Sequence, residues 1–139
     1  MAQDLYRLFN LAPLDTCDAG NRDLILCARL WVSLRKRGDD PTALMATRLG
    51  SEAAAWQFWL LMEEIGTAWP EPFIVSPPCC SAMSFDEHVL AGMVERASRG
   101  DRSGFSGLLC EMLPAEHCER LYRTTGAFLD SLAKPAFSR

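Results

Sequence analysis

The sequence predicts an all-α protein, folded as a single irregular or orthogonal bundle of six to seven helices. Three observations favour this fold class. Apolar residues recur at helical spacing through most of the chain, capping residues and glycines separate these stretches, and no segment is convincing as part of a sheet. With 139 residues, 49% of them hydrophobic, the chain is long enough to bury one core.

The first two helices are defined by their ends. Residues 22–37 have helical periodicity and end before Gly38, where a C-terminal glycine cap is expected. Asp40 is the expected N-cap of a short second helix, with Pro41 at its first position and Gly50 after its end. A further short helix near residues 3–9 would precede both.

The third helix is expected to run from its cap, Ser51, to about Ile65, before Gly66. Its apolar residues fall on two separate arcs of the helical wheel. The broad arc holds Ala54, Phe58, Trp59, Leu61, Met62 and Ile65, and the narrow arc holds Ala53, Trp56 and Leu60. A helix that must bury both arcs is either central to the bundle or part of an oligomer interface, with Trp56 and Leu60 as the candidate interface residues.

A proline-rich linker over residues 67–83 follows, because none of its four prolines is compatible with a helix there. Residues 73–76 within it can form only an edge strand or an extended segment. The linker separates a helical half at 3–66 from another at 84–133, which is followed by a short tail at 134–139. Each half alone is marginal in size, so one domain spanning 1–139 is expected.

The second half also begins with a clear signal. Ser84 and Glu87 have the spacing of a capping box, which opens a helix that runs to about Arg99. A fifth helix is expected within residues 101–113, and a sixth begins at Pro114 and ends before Pro135. The apolar stripe of the sixth consists of Cys118, Leu121, Tyr122, Thr125, Phe128, Leu129 and Leu132.

Charge and hydropathy restrict the partners. The net charge of −4 argues against nucleic acid, and the basic residues 35–37 are interpreted as cations at a helix C-terminus. No apolar run is long enough to cross a bilayer, so no membrane association is expected. The N-terminus lacks the pattern of a signal peptide, which favours a cytoplasmic protein with reduced thiols.

The six cysteines differ in their predicted surroundings. Cys27 and Cys118 lie in apolar stripes and are expected to pack as small hydrophobes. Cys110 lies opposite the apolar side of its helix, and Cys17, Cys79 and Cys80 lie in loops. No C-x-x-C or H-x₃-H spacing is present. The best four-ligand set consists of Cys79, Cys80, Cys110 and His117, and its spacing is not that of a metal centre. We therefore expect no metal, no cofactor and no catalytic constellation.

The adjacent thiols of Cys79 and Cys80 remain the candidate functional thiols. They precede the helix capped by Ser84, where the helix dipole and free amide groups favour a thiolate. Packing beneath the linker is the favoured interpretation; a redox-active or nucleophilic thiol and a metal ligand are the alternatives. His88, on the polar side of its helix, is expected to be solvated.

The segment Pro78-Cys79-Cys80-Ser81-Ala82-Met83 resembles the central Pro-Cys-Cys-(Cys or Ser)-x-Met element of a family of short bacterial helical proteins, defined only as a domain of unknown function. The resemblance covers about residues 24–133. It implies a bacterial cytoplasmic protein and no particular activity. Ser81 stands where members often have a third cysteine, so a role for three consecutive thiols is not expected here.

These observations favour a small non-enzymatic binding or regulatory module, whose partner is another protein or a second copy through Trp56 and Leu60. The alternative is a thiol-dependent redox sensor or metal-binding protein centred on Cys79 and Cys80.

Overall fold

The computed structural model describes residues 19–133, which form an all-α bundle of six helices and contain no strand. The predicted fold class is confirmed within these residues. The predicted helix near residues 3–9 and Cys17 lie outside them. The helices, numbered in chain order, are α1 Ala19–Lys36, α2 Thr42–Leu49, α3 Glu52–Ala68, α4 Phe85–Ser98, α5 Arg102–Leu109 and α6 Ala115–Ala133.

Local signals account for most of the helix ends. Ser51 accepts a hydrogen bond from Ala54 N, and Ser84 and Glu87 form the predicted capping box. Three glycines after helices have positive φ, as a left-handed cap requires: Gly38, Gly50 and Gly100. α2 begins at Thr42, one residue later than the proline signal predicts, and Asp40 accepts from Thr42 N.

The predicted end of α3 at Gly66 is wrong. The helix continues through Gly66 to Ala68, and Trp69 then adopts an extended conformation with ψ 137°. Trp69 precedes Pro70, and the proline ring disfavours the helical conformation for the residue before it. The proline therefore ends this helix, and the glycine is tolerated within it.

The core is built around α3, which packs mainly against α6 and α2. Phe58 is fully buried, and its ring centroid lies 5.5 Å from that of Phe128 on α6. Helices α4, α5 and α6 pack on one another, and α1 contacts α4 and α2. None of the six described helices combines the length and the apolar composition of a membrane-spanning helix.

The two apolar arcs of α3 have different surroundings. The broad arc is buried, apart from Trp59, which is half-buried. On the narrow arc Trp56 is 55% exposed and Leu60 is 36% exposed. The helix is therefore central on one side only, and of the two alternatives, a position that buries both arcs inside the bundle is not observed for residues 19–133.

Substitution of Phe58 by Ala tests the position of the core. We expect Phe58→Ala to lower the free energy of unfolding by about 3–5 kcal/mol, because it removes a fully buried ring. The control Leu44→Ala, at a partly exposed apolar residue on α2, should cost at most about 1 kcal/mol. Urea denaturation measures both; equal losses would contradict the central position of Phe58.

Candidate functional site

The linker that carries the two candidate thiols is wrapped around a buried arginine. Arg29 lies in the middle of α1 and is 1% exposed. Its Nη1 donates to Cys80 O at 2.7 Å and to Pro77 O at 3.2 Å, with a weaker approach to Pro78 O at 3.5 Å. Its Nη2 donates to Ala82 O at 3.1 Å. One guanidinium therefore binds the carbonyl groups of both ends of the cysteine-containing turn.

The partner of Arg29 is Glu87, in the first turn of α4. Nε and Nη2 of Arg29 donate to Oε2 and Oε1 of Glu87 at 2.8 and 3.0 Å, a bidentate arrangement. The carboxylate also accepts from the backbone N–H groups of Ser76 and Ser84, both at 2.9 Å. All five N–H groups of the guanidinium are thus used, and the carboxylate accepts four bonds.

Both charges can be buried because every N–H group of Arg29 and both oxygens of Glu87 take part in hydrogen bonds. Both side chains are 0% exposed, and an unpaired charge at such a position would cost several kcal/mol. The hydrogen bond that Arg29 donates to Glu87 holds the pKa of Arg29 above its usual range, against the opposing effect of burial, and the negative charge of Glu87 acts in the same direction as the bond. The guanidinium therefore stays charged.

A second carboxylate at the start of α4 fixes the first part of the linker. Asp86 accepts from Trp69 Nε1 at 3.1 Å and from Ile74 N at 2.8 Å. The hydroxyl of Ser84 donates to Ile74 O at 2.7 Å while it accepts from Glu87 N. The extended path predicted for residues 73–76 is therefore held by side chains, without a strand.

The two thiols differ in accessibility. Cys80 N donates to Pro77 O at 3.0 Å, which closes a turn with Pro78 and Cys79 at its centre. Cys79 is exposed and Cys80 is half-buried, and both are free thiols. The favoured interpretation, that both thiols pack beneath the linker, does not fit Cys79.

The remaining described cysteines follow their predicted positions. Cys27 and Cys118 are buried, and Cys110 is exposed. Burial raises the pKa of Cys27 to about 11 and also raises the pKa of Cys118. Both thiols are therefore protonated at neutral pH and unreactive.

The four-ligand set considered from the sequence is not assembled. Among residues 19–133, no group of three or more His, Cys, Asp or Glu side chains is placed to hold a metal ion. Cys110 and His117 belong to the end of α5 and the start of α6, and they do not join Cys79 and Cys80 in such a group.

A cleft of about 220 Å³ lies beside the cysteine-containing turn. One wall is formed by the linker and the other by α1, and the lining residues are Arg29, Val32, Ser33, Lys36, Val75, Ser76, Pro77 and Pro78. Since Arg29 is saturated by its partners, the exposed Lys36 is the cation available to a molecule in this cleft.

The second candidate region is the surface of Trp56 and Leu60. Next to it an open groove of about 660 Å³ runs between α3 and α6. Leu60 lies in its floor, Glu63 and Glu64 line the α3 side, and Arg120 and Arg123 line the α6 side. Arg120 approaches Glu64 to 3.6 Å across the groove. An exposed apolar stripe thus borders a groove with one acidic and one basic wall.

Glu63, one of the acidic residues of this groove, is bound by an arginine that also takes part in a cation–π arrangement. The Arg35 guanidinium lies 4.8 Å and 4.7 Å from the ring centroids of Trp31 and Trp59, whose rings meet edge to face. Arg35 also donates to Glu63 at 2.9 Å. The basic residues at the end of α1 are thus not equivalent, because Arg35 is engaged and Lys36 is free of ion pairs with described residues.

Sequence reasoning identified Glu87 as a capping residue and missed Arg29. A signal was present, because Arg29 is the only charged residue between Leu24 and Val32, an otherwise apolar segment. A charge in such a position is rarely buried without a partner. The expected solvation of His88 is also wrong: it is half-buried, and its Nε2 has no hydrogen-bond partner among the described residues.

Comparisons with protein-family models, curated proteins and solved structures gave no significant match. The resemblance to the Pro-Cys-Cys family therefore stays a prediction.

The buried ion pair of Arg29 and Glu87 predicts that Glu87→Gln strongly destabilises the folded chain. The amide keeps the size of the side chain but removes the charge opposite Arg29, so the free energy of unfolding should fall by about 3–5 kcal/mol. The amides of Ser76 and Ser84 should exchange hydrogen faster, because their acceptor is weakened. The matched control Glu63→Gln, which breaks the exposed pair with Arg35, should cost at most about 1 kcal/mol. Similar losses in both variants would contradict the role assigned to Glu87.

His88 predicts a pH dependence of stability. Burial lowers the pKa of His88 in the folded chain, so the unfolded chain takes up the proton more readily. The free energy of unfolding should therefore fall as the pH drops below about 6.5. Urea midpoints measured between about pH 7 and pH 5 should fall less in His88→Gln than in the parent chain. His117→Gln is the control, and an equal effect of both variants would exclude His88 as the source.

Proposed function

We propose that this chain is a small non-enzymatic binding module that self-associates through the narrow arc of α3. The observation that carries the proposal is the exposure of Trp56 and Leu60 on a helix whose opposite side forms the core. Trp is the residue type that most often contributes large binding energies at interfaces. Burial of the two side chains against a second molecule would remove apolar surface from water at about 25 cal/mol per Å².

Charge complementarity favours a second copy as the occupant. In a two-fold dimer the same surface of each copy meets its equivalent. The groove has Glu63 and Glu64 on one side and Arg120 and Arg123 on the other, so a two-fold axis can place each acidic wall opposite the partner's basic wall. A stable interface needs about 800 Å² per partner, which requires the groove as well as Trp56 and Leu60.

The remaining features support a cytoplasmic binding protein. The described cysteines are free thiols, which suits a reducing compartment. The net charge of −4 does not favour nucleic acid as the partner. A regulatory role would follow if occupation of this surface depends on the concentration of the protein.

Sedimentation of the full chain at micromolar concentrations tests the proposal. We expect a dimer for the parent chain and a monomer for Trp56→Glu, because the new carboxylate would be buried without a partner. Ile74→Glu is the matched control: Ile74 is 58% exposed but lies in the linker, so this variant should remain a dimer. A folded parent chain that sediments as a strict monomer would contradict the proposal.

A further inference from the structure

The surface at Trp56 carries an exposed aromatic side chain and an open groove next to each other. The Trp56 indole does not line the groove between α3 and α6, whereas Leu60, about one turn further along the same helix, lies in its floor. Four residues of a helix advance it by about 6 Å. A side chain and a groove this close together can both engage their counterparts on a second copy at once, as a two-fold axis requires.

The groove offers the contacts that suit an indole ring. Leu60 is an exposed apolar floor, and Ala127 of α6 adds only a methyl group to the opposite side. Arg123 Nε on the α6 side lies 3.9 Å from the Glu119 carboxylate, and a guanidinium held this loosely can stack on an aromatic face. The Gln57 amide has no hydrogen-bond partner among residues 19–133, so its oxygen can accept from an indole N–H, which needs a partner when buried.

We propose that Trp56 of each copy inserts into the partner's groove between α3 and α6, where its ring packs on Leu60 and Ala127 beneath the Arg123 guanidinium. This inference rests on the proposed self-association and assigns the groove as the receptor of Trp56. One buried aromatic side chain covers about 150–250 Å². Two reciprocal insertions therefore supply about 300–500 Å² of the roughly 1,600 Å² that a stable interface buries. Ala127 determines what the groove accepts, because a larger side chain there would occupy the space of the incoming ring.

Ala127→Phe tests the groove in sedimentation of the full chain over a range of concentrations. Ala127 is exposed, so the variant should give the circular dichroism of the parent chain. Its phenyl ring should block the groove and raise the dissociation constant of the dimer about 30-fold or more, the loss typical of a removed hot spot. The matched control is Ala115→Phe, at an exposed alanine of α6 outside the groove, which should keep the parent value. Arg123→Ala should raise the constant about three-fold, because it removes the cation above the ring.

A mixture of two variants gives a gain of association. Trp56→Ala keeps the open groove but lacks the indole, and Ala127→Phe keeps the indole but has a blocked groove. Each variant alone should sediment as a monomer, because its own dimer has neither insertion. An equimolar mixture should form a heterodimer, detected by native mass spectrometry, in which one Trp56 enters the one open groove. Formation of this heterodimer also requires that Ala127→Phe is folded.

The outcomes separate the insertion from the self-association on which it rests. A parent chain that stays monomeric contradicts both. A parent dimer that Trp56→Glu dissociates but Ala127→Phe leaves intact keeps the self-association surface and overturns the insertion, because the indole would then pack outside the groove. The insertion is also overturned if Ala127→Phe is folded but forms no heterodimer with Trp56→Ala. If Ala127→Phe does not give the circular dichroism of the parent chain, Arg123→Ala decides, and an unchanged dissociation constant overturns the insertion.

Discussion

The buried pair of Arg29 and Glu87 is the interaction on which the shape of the linker depends. Residues 69–84 contain no helix or strand, and four prolines within them lack the N–H group that would pair with neighbouring carbonyls. Side chains take over that role, because the guanidinium binds three carbonyl groups and the carboxylate binds two amide groups. α1 and α4 are joined by the same contacts. The linker is thus an ordered part of the bundle, and the turn at Cys79 is held in one position.

The helices could be predicted from the sequence because their signals are local. Ser51 and Ser84 cap helices through bonds to residues three positions later, and Gly38, Gly50 and Gly100 end them through their own backbone conformation. Gly66 misled the prediction because a glycine ends a helix only where a left-handed conformation follows, and here Pro70 imposes the end. The contacts of Arg29 could not be predicted in this way, since Glu87 is 58 residues distant in sequence and no periodicity reports such a pairing.

Helix α3 has two apolar arcs, and the sequence pattern alone does not show which arc packs in the core and which stays exposed. Its apolar composition predicted two buried faces, but the helices within residues 19–133 cover only the broad arc. The second arc lies beside a groove whose charged walls are already ordered within the chain, by Arg35 with Glu63 and by Arg120 with Glu64. Ordered charges lose less side-chain entropy when a partner binds than free ones do. The exposed arc and its groove are therefore better prepared for association than other exposed apolar residues such as Ile74.

Buried ion pairs can often be replaced by apolar residues without loss of stability, because desolvation offsets most of the attraction between the charges. The pair in this protein differs, because most of its hydrogen bonds go to the backbone. Apolar side chains at positions 29 and 87 would leave the carbonyl groups of Cys80 and Ala82 and the amide groups of Ser76 and Ser84 without these partners, while Pro77 O would keep only its bond from Cys80 N. Each buried polar group left unsatisfied costs about 1–3 kcal/mol, so the linker would have to open towards solvent. The charges are required by the path of the chain, and that path in turn fixes the position of the turn that carries Cys79.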